Sequence, residues 1–213
     1  MSAPADGADF MSDSEYQRWE GRFAAPEYIF GTAPNVFLAA QKHLLPPRGK
    51  ALAIADGEGR NGVWLAEQGL DVLSLDRSPA AQNKARALAA ARGVTIRTEL
   101  ADVLHWTFPE SEFDVVAVIF TQFATPAERT LLFAGIRKAL KPGGLLLMQG
   151  YRPEQLAYGT GGPKQAENMY TRALLEAAFG GFAELRIHEH DSEMAEGTAH
   201  GGMSALIDLV GRK

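Results

Sequence analysis

The stretch Ala53-Ile54-Ala55-Asp56-Gly57-Glu58-Gly59-Arg60-Asn61-Gly62 carries the residue types and spacing best suited to chemistry. Gly57, Gly59 and Gly62 have the G-x-G-x-x-G spacing of a turn whose backbone can approach a nucleoside cofactor, and Asp76 follows Gly57 by 19 positions. That interval places a carboxylate at the tip of a second strand, where it can grip ribose hydroxyls. The charges beside the glycines choose among cofactors. Asp56 and Glu58 would repel a pyrophosphate at a helix N-terminus but suit a sulfonium or an α-ammonium group, and Arg60 is placed to pair with a cofactor carboxylate. S-adenosylmethionine therefore leads, with a nicotinamide or flavin dinucleotide as the alternative.

Such a turn needs a strand before it and a helix after it. After Lys50 the sequence alternates short apolar runs with amphipathic segments: strands are predicted at 51–55, 72–75, 94–97, 115–120 and 145–149. Helices are predicted at 63–68, closed by Gly69, at 79–92, capped by Ser78 and stopped by Gly93, and at 126–140, where Thr125 and Glu128 have capping-box spacing. Continuous apolar strands imply burial on both faces, and helical crossovers imply a mostly parallel, doubly wound α/β sheet. A helix at 171–179 and two runs, 183–189 and 204–210, with no helix between them, predict an antiparallel hairpin at the sheet edge. Upstream, an aromatic helix at 14–25 (Tyr16, Trp19, Phe23) and a second one opened by Pro34 and ended by Pro46-Pro47 precede the first strand. Residues 1–13 read as a disordered leader and 14–213 as one domain, with 14–47 as a helical lid.

Composition narrows the function classes. The 213 residues fit one domain at roughly 100–200 residues each. With 21 Lys+Arg against 26 Asp+Glu the net charge is −5, without the basic footprint of nucleic-acid binding. The absence of Cys removes disulfides, thiolate metal sites and cysteine nucleophiles. An acidic N-terminus without an apolar h-region, and no run near the roughly 18 apolar residues of a membrane span, make a cytoplasmic protein with no membrane or nucleic-acid partner the expectation.

The loop Asp56-Gly-Glu-Gly-Arg-Asn61, followed by Leu75-Asp76-Arg-Ser78, Ala101-Asp102, Phe113-Asp-Val-Val116 and Lys141-Pro-Gly-Gly144, resembles class I S-adenosylmethionine-dependent methyltransferases from about Trp19 onward. Trp19, Tyr28, Phe30-Gly31 and Pro34-Asn35 look most like the small bacterial tellurite-resistance-like or thiopurine-like group. The resemblance implies a Rossmann-like seven-stranded sheet in the order 3-2-1-4-5-7-6. It implies that Trp19, Tyr28 and Gly31 approach the cofactor, that the backbone around Gly57 and Gly59 cradles its methionine part, and that Arg60 and Asn61 lie nearby. It also implies Asp76 on the ribose, Arg77 and Ser78 beside the adenine, Asp102 and Val103 at the adenine amino edge, and Phe120 facing the transferring methyl. The sequence departs from the family where Ala53 and Ala55 replace an acidic residue and a glycine, so the carboxylate function moves to Asp56 or the amino group is held by backbone carbonyls.

The segment Phe120-Thr121-Gln122-Phe123 lacks the Asn/Asp-Pro-Pro-aromatic sequence of amino-methylating enzymes, which together with the acidic charge disfavours nucleic acid. Gln122, Tyr151 and Tyr158 are candidates for orienting an acceptor, and no catalytic residue is assigned. The glycine- and tyrosine-containing segment 151–170 is long enough for a lid. His188 and His190 share a strand face and, with His200, have the elements of a metal chelate or a general base; lacking a further ligand in the sequence, they read as edge-strand surface residues, and no metal is assigned. The expected activity is methyl transfer to a small molecule, with a thiol or another soft nucleophile favoured because no strong base is evident. The rivals are a nicotinamide-dependent oxidoreductase and a non-catalytic binding protein of the same fold. The expected assembly is a monomer or homodimer.

Overall fold

The computed structural model describes residues 13–198 and 200–213. Its strands are β1 (Lys50–Ile54), β2 (Asp71–Asp76), β3 (Arg97–Leu100), β4 (Phe113–Ile119), β5 (Leu140–Tyr151), β6 (Glu184–Glu196) and β7 (His200–Arg212). They form one sheet in the order β3-β2-β1-β4-β5-β7-β6, parallel through β5 and antiparallel at β5/β7 and β7/β6. The expected strand order and terminal hairpin are therefore present. The helices are α1 (Asp13–Phe23), α2 (Val36–Ala40), α3 (Arg60–Glu67), α4 (Pro79–Ala91), α5 (Pro126–Ala139), α6 (Gln155–Tyr158) and α7 (Arg172–Phe179).

Strand alternation divides the core. Leu52, Ile54, Val116, Val118, Leu146 and Met148 pack under Leu132, Phe133 and Ile136 of α5 and Leu175 and Phe179 of α7. Their neighbours Ala51, Val115, Ala117, Leu145 and Leu147 face the other way, against Phe37 and Leu38 of α2 and Leu65 of α3. Both faces are covered, which is why the strands read as unbroken apolar runs. Ser78 caps α4 through Ala81 N, and Thr125 and Glu128 close the expected capping box on α5.

Several boundaries differ from the sequence reading for identifiable reasons. Strand β3 begins at Arg97 rather than Val94, because Val94 and Ile96 pack against Val63, Leu88 and Ala89 beneath the two helices. Pro34 does not open α2. Asn35 is its N-cap, with Oδ1 accepting from Leu38 N at 3.0 Å, and the helix ends after five residues. Strand β5 runs directly out of α5 at Leu140 and shifts register across Pro142-Gly143-Gly144 before regular pairing resumes at Leu145. Both hairpin strands are 13 residues long, and their added length reaches over the β1–α3 turn. The leader expected at 1–13 lies, but for its last residue, outside the described residues.

The segment 151–170 is held down more than a free lid would be. Tyr151 belongs to β5, Tyr170 is fully buried and donates its hydroxyl to Thr121 O at 2.9 Å, and Gln155 Oε1 accepts from Ala205 N of β7 at 2.8 Å. Among its three tyrosines Tyr158 is the exposed one, bonded to Asp191 Oδ2 at 3.1 Å.

Candidate functional site

The site is built on the turn after β1. Ala55 takes a left-handed φ of +49°, Gly57 +56° and Gly59 +86°, the last as N-cap of α3. A side chain is strained at such angles, so Ala55 stands where glycine is easier. The three fingerprint glycines have different reasons. Gly57 presents bare backbone toward the Phe23 ring of α1, a Cβ on Gly59 would come within 2.5 Å of Ala85 Cβ on α4, and a Cβ on Gly62 would strike Asp56 Oδ2 at 2.4 Å.

That last contact shows where the Asp56 side chain goes. Its carboxylate turns inward, accepting from Gly62 N at 3.1 Å and Ser74 Oγ at 2.8 Å, so it ties the start of α3 to β2. Burial pushes this carboxyl up to about 7, against the lowering effect of its Ser74 and Gly62 hydrogen bonds. Glu58 is also buried and committed, to Lys84 Nζ at 2.8 Å and Phe30 N at 3.4 Å. Neither carboxylate stands free in front of the turn, so the repulsion expected against a pyrophosphate is much reduced.

Asp76, at the end of β2, accepts from Gly57 N and Ser78 N, each at 2.8 Å, fixing the turn and the first residue of the α4 cap together. Burial raises its carboxyl above the ordinary range. With the Arg77 N–H also acting on it, the carboxylate still keeps acceptor capacity for a hydroxyl donor. Arg77 Nη1 pairs with Asp102 Oδ2 at 3.8 Å, too far for a hydrogen bond, and is buried with no hydrogen-bond partner among the described residues, while the guanidinium lies against the Tyr16 ring. Asp102 accepts from Leu104 N at 3.1 Å, and Val103 is buried in the core beside it. A guanidinium donor free to make a hydrogen bond, a carboxylate with acceptor capacity and a bare glycine backbone fit the ribose and adenine parts of a nucleoside cofactor.

Helix α1 lies across this turn. Trp19 stacks on Phe23 at 5.6 Å and lies 6.0 Å from Phe30, while Glu20 accepts from Ser78 Oγ and, at 3.2 Å, from Ala80 N. Tyr28 donates to Lys84 O at 3.0 Å, and Gly31 turns back on it with φ +72°.

A second, polar knot closes the opposite side. Arg60 donates to Glu196 Oε2 at 2.6 Å, Asn61 Oδ1 accepts from Asn35 N at 2.9 Å, and Asn35 Nδ2 donates to Gln149 Oε1 at 2.7 Å and Glu196 Oε1 at 3.1 Å. Burial works to raise the Glu196 carboxyl, but the His200 imidazole, Arg60 and the Val36 N–H outweigh it and hold it at about 2. Glu196, Gln149 and the role of His200 were not identified from sequence. They lie 114 or more residues from Asn35, and only the register of β5 and of the hairpin brings them to it.

The expected acceptor side is aromatic. Phe120, with a left-handed φ of +55°, lies 4.8 Å from Tyr151 and 4.4 Å from His200, whose ring is 4.6 Å from Phe30. His200 Nδ1 is buried and faces Glu196 Oε2 at 4.0 Å, beyond hydrogen-bond range and with no closer partner among the described residues, and burial lowers its proton affinity. Gln122 is otherwise engaged: Oε1 accepts from Tyr151 N at 2.5 Å and Nε2 donates to Tyr151 O at 2.8 Å. His200 does not join His188 and His190, which lie farther along the hairpin.

Comparison with known proteins places these features in context. Residues 51–144 match the family model described as a methyltransferase domain. An uncharacterised methyltransferase of Synechocystis is 34% identical over 111 residues, covering 51% of this chain and 50% of that protein. The chain spans about half the length of the curated relatives it matches. A structure from work on the conversion of a disulfide bond into a thioacetal group during echinomycin biosynthesis superposes with a TM-score of 0.72 at 18% identity, over 95% of this chain and 91% of the other. TehB from Haemophilus influenzae superposes with a TM-score of 0.66 at 15% identity, over 83% of this chain and 61% of the other. These structural likenesses are of fold, and they do not establish the tellurite-resistance-like subgroup.

Proposed function

We propose that this chain, a class I S-adenosylmethionine-dependent methyltransferase by its domain and fold, transfers a methyl group to a small-molecule acceptor. The observation that carries the reading is the β1–α3 turn, where the Gly57 backbone is held on the Asp76 carboxylate at the end of β2, with the Arg77–Asp102 pair following it in the chain. When bound, the cofactor would supply an electrophilic sulfonium methyl. The chain's own residues bind and align. Asp76 would hold the ribose, Arg77, Ser78, Asp102 and Val103 the adenine, and the backbone of the turn the methionine part, with Arg60 and Asn61 buttressing the turn from their bonds to Glu196 and Asn35 rather than pairing with a cofactor carboxylate.

Helix α1 acts in this reading as a lid, since Phe23 faces Gly57 and Glu20 reaches the α4 cap across the site. Water exclusion at the transfer point falls to Phe30, Phe120 and Tyr151. Proximity and alignment can supply several kcal/mol of the barrier without acid-base help.

The acceptor we favour is a thiol or another soft nucleophile. Near Phe120 the groups able to take a proton are few: Gln122 is bound to backbone, and burial pushes the Tyr151 phenol far above its ordinary value. Burial lowers the proton affinity of the His200 imidazole, whose Nδ1 faces Glu196 Oε2 at 4.0 Å, so it is a weak base toward an alcohol or an ammonium, and a thiol, the more acidic acceptor, demands least of it. A harder acceptor deprotonated by His200 is the second reading.

Calorimetric titration with S-adenosylmethionine, S-adenosylhomocysteine and NADH tests the assignment. Saturable binding of the first two that weakens at least about tenfold in Asp76→Ala, or about 1.4 kcal/mol, is the expected result. Binding of NADH alone, or of none of the three, would overturn it. Turnover of a catechol or an amine without turnover of thiols would remove the soft-acceptor part.

A further inference from the structure

On the outer strand β6, His188 and His190 are two residues apart, so their side chains leave the same face. Their rings lie stacked, 14° from parallel with centroids 4.9 Å apart. Across the ladder His188 pairs with Asp208 of β7, and Asp208 Oδ2 stands 3.1 Å from His190 Nε2. One nitrogen from each histidine and one Asp208 oxygen all fall within 4.8 Å of one another. Donor atoms around a tetrahedral ion with bonds of about 2.0–2.1 Å are roughly 3.3 Å apart, so small rotations of the imidazoles would bring all three into range.

The outer partners are already present. His190 Nδ1 is 2.7 Å from Ser192 Oγ, which leaves Nε2 directed at Asp208, and Asp208 Oδ1 accepts from Gln149 Nε2 at 2.6 Å. Second contacts of this kind hold a ligating ring and carboxylate in orientation. The His190 and Asp208 side chains are 23% and 14% exposed, sheltered yet reachable from solvent.

We propose that His188, His190 and Asp208 bind a divalent transition-metal ion of the zinc class, with solvent completing its coordination. Two imidazoles and a single carboxylate suit zinc, cobalt or nickel, whereas calcium and magnesium require oxygen-rich shells. The ion would cross-link β6 to β7 outside the methyl-transfer site, and the proposal rests on this cluster alone, independent of any reading of that site. Through Gln149 the cluster connects to Asn35 and Glu196, so an ion there would also fix one end of the polar knot.

The test is titration of the untagged full chain with zinc by calorimetry and with cobalt(II) by visible absorption, in a non-chelating buffer. Expected are one ion per chain, a cobalt band of four-coordinate type, no competition from magnesium, and at least about tenfold weaker binding in His188→Ala and in His190→Ala, with melting curves showing both variants folded. Absence of saturable binding, or binding that persists with the double variant, overturns the proposal. Should a variant fail to fold, the wild-type cobalt spectrum decides: an octahedral aquo spectrum that is unchanged by the protein overturns it.

Discussion

Arg60 Nη2 donates to Glu196 Oε2 at 2.6 Å, joining the turn after β1 to the end of β6 across 136 residues. Both are buried, at 6% and 7% exposure. Removing one partner of a buried pair leaves the other charge uncompensated, so Glu196→Ala is expected to lose about 3–5 kcal/mol in urea denaturation. The folded carboxyl sits at about 2 against an ordinary 4.5. Its contribution is therefore complete above 4.5 and disappears as pH falls toward 2. The stability gap between wild type and variant should close on acidification; a gap constant with pH would contradict this.

Asp56 has the opposite sign. Burial raises its carboxyl from 3.8 to about 7 in the folded chain, so the folded state binds the proton more tightly than the unfolded chain. Its contribution favours folding at low pH and is lost as pH rises from 3.8 to about 7. Relative to Asp56→Asn, wild type should lose stability across that window and run parallel to the variant above it. Parallel curves throughout would mean that the carboxylate is not as enclosed as its contacts indicate.

Gln122 is expected to matter through Tyr151. Gln122→Leu removes the partners of two buried backbone groups, N–H and C=O of Tyr151, at about 2–4 kcal/mol of stability. It should slow methyl transfer while leaving cofactor affinity near wild type, because the Tyr151 ring lies on the aromatic side. Equal loss of cofactor binding would place Gln122 on the cofactor side instead.

Phe23→Ala tests the lid. The ring faces Gly57 and stacks on Trp19, so its truncation should speed S-adenosylhomocysteine release by about tenfold, read by stopped-flow fluorescence. An unchanged release rate would leave α1 as a packing element with no gating role.

The doubly wound, mostly parallel character of the sheet was legible because both-faced burial writes itself into runs such as Val115-Val116-Ala117-Val118, whose alternate members pack on opposite layers, whereas the strand order came from the family resemblance. Strand β3 was misplaced because the apolar signal at Val94 and Ile96 belongs to helix packing, while the edge strand Arg97–Leu100 is polar and exposed. The glycine turn and Asp76 were legible because their spacing is local. The inward turn of Asp56 was not, since nothing in its neighbourhood reveals that Ser74, 18 positions away, is its partner. Asn35, Gln149 and Glu196 meet only through sheet register, which composition and periodicity do not encode.

The hairpin's reach has a consequence for how the molecule is made. Thr198 N bonds to Ile29 O at 2.9 Å, and Gly197 packs so tightly on the Ile29–Gly31 backbone that a Cβ would lie 2.4 Å from Ile29 O. Arg60 and Asn35 likewise find Glu196 only from that hairpin. During synthesis the glycine turn and the first four parallel strands can assemble early, and the segment around Ile29 can dock on α4 through Tyr28 and Ala81, yet its contacts with Glu196, Gly197 and Thr198 wait until β6 and β7 leave the ribosome. Completion of the entrance thus follows synthesis of the hairpin, and contacts of such high sequence separation form late and slowly.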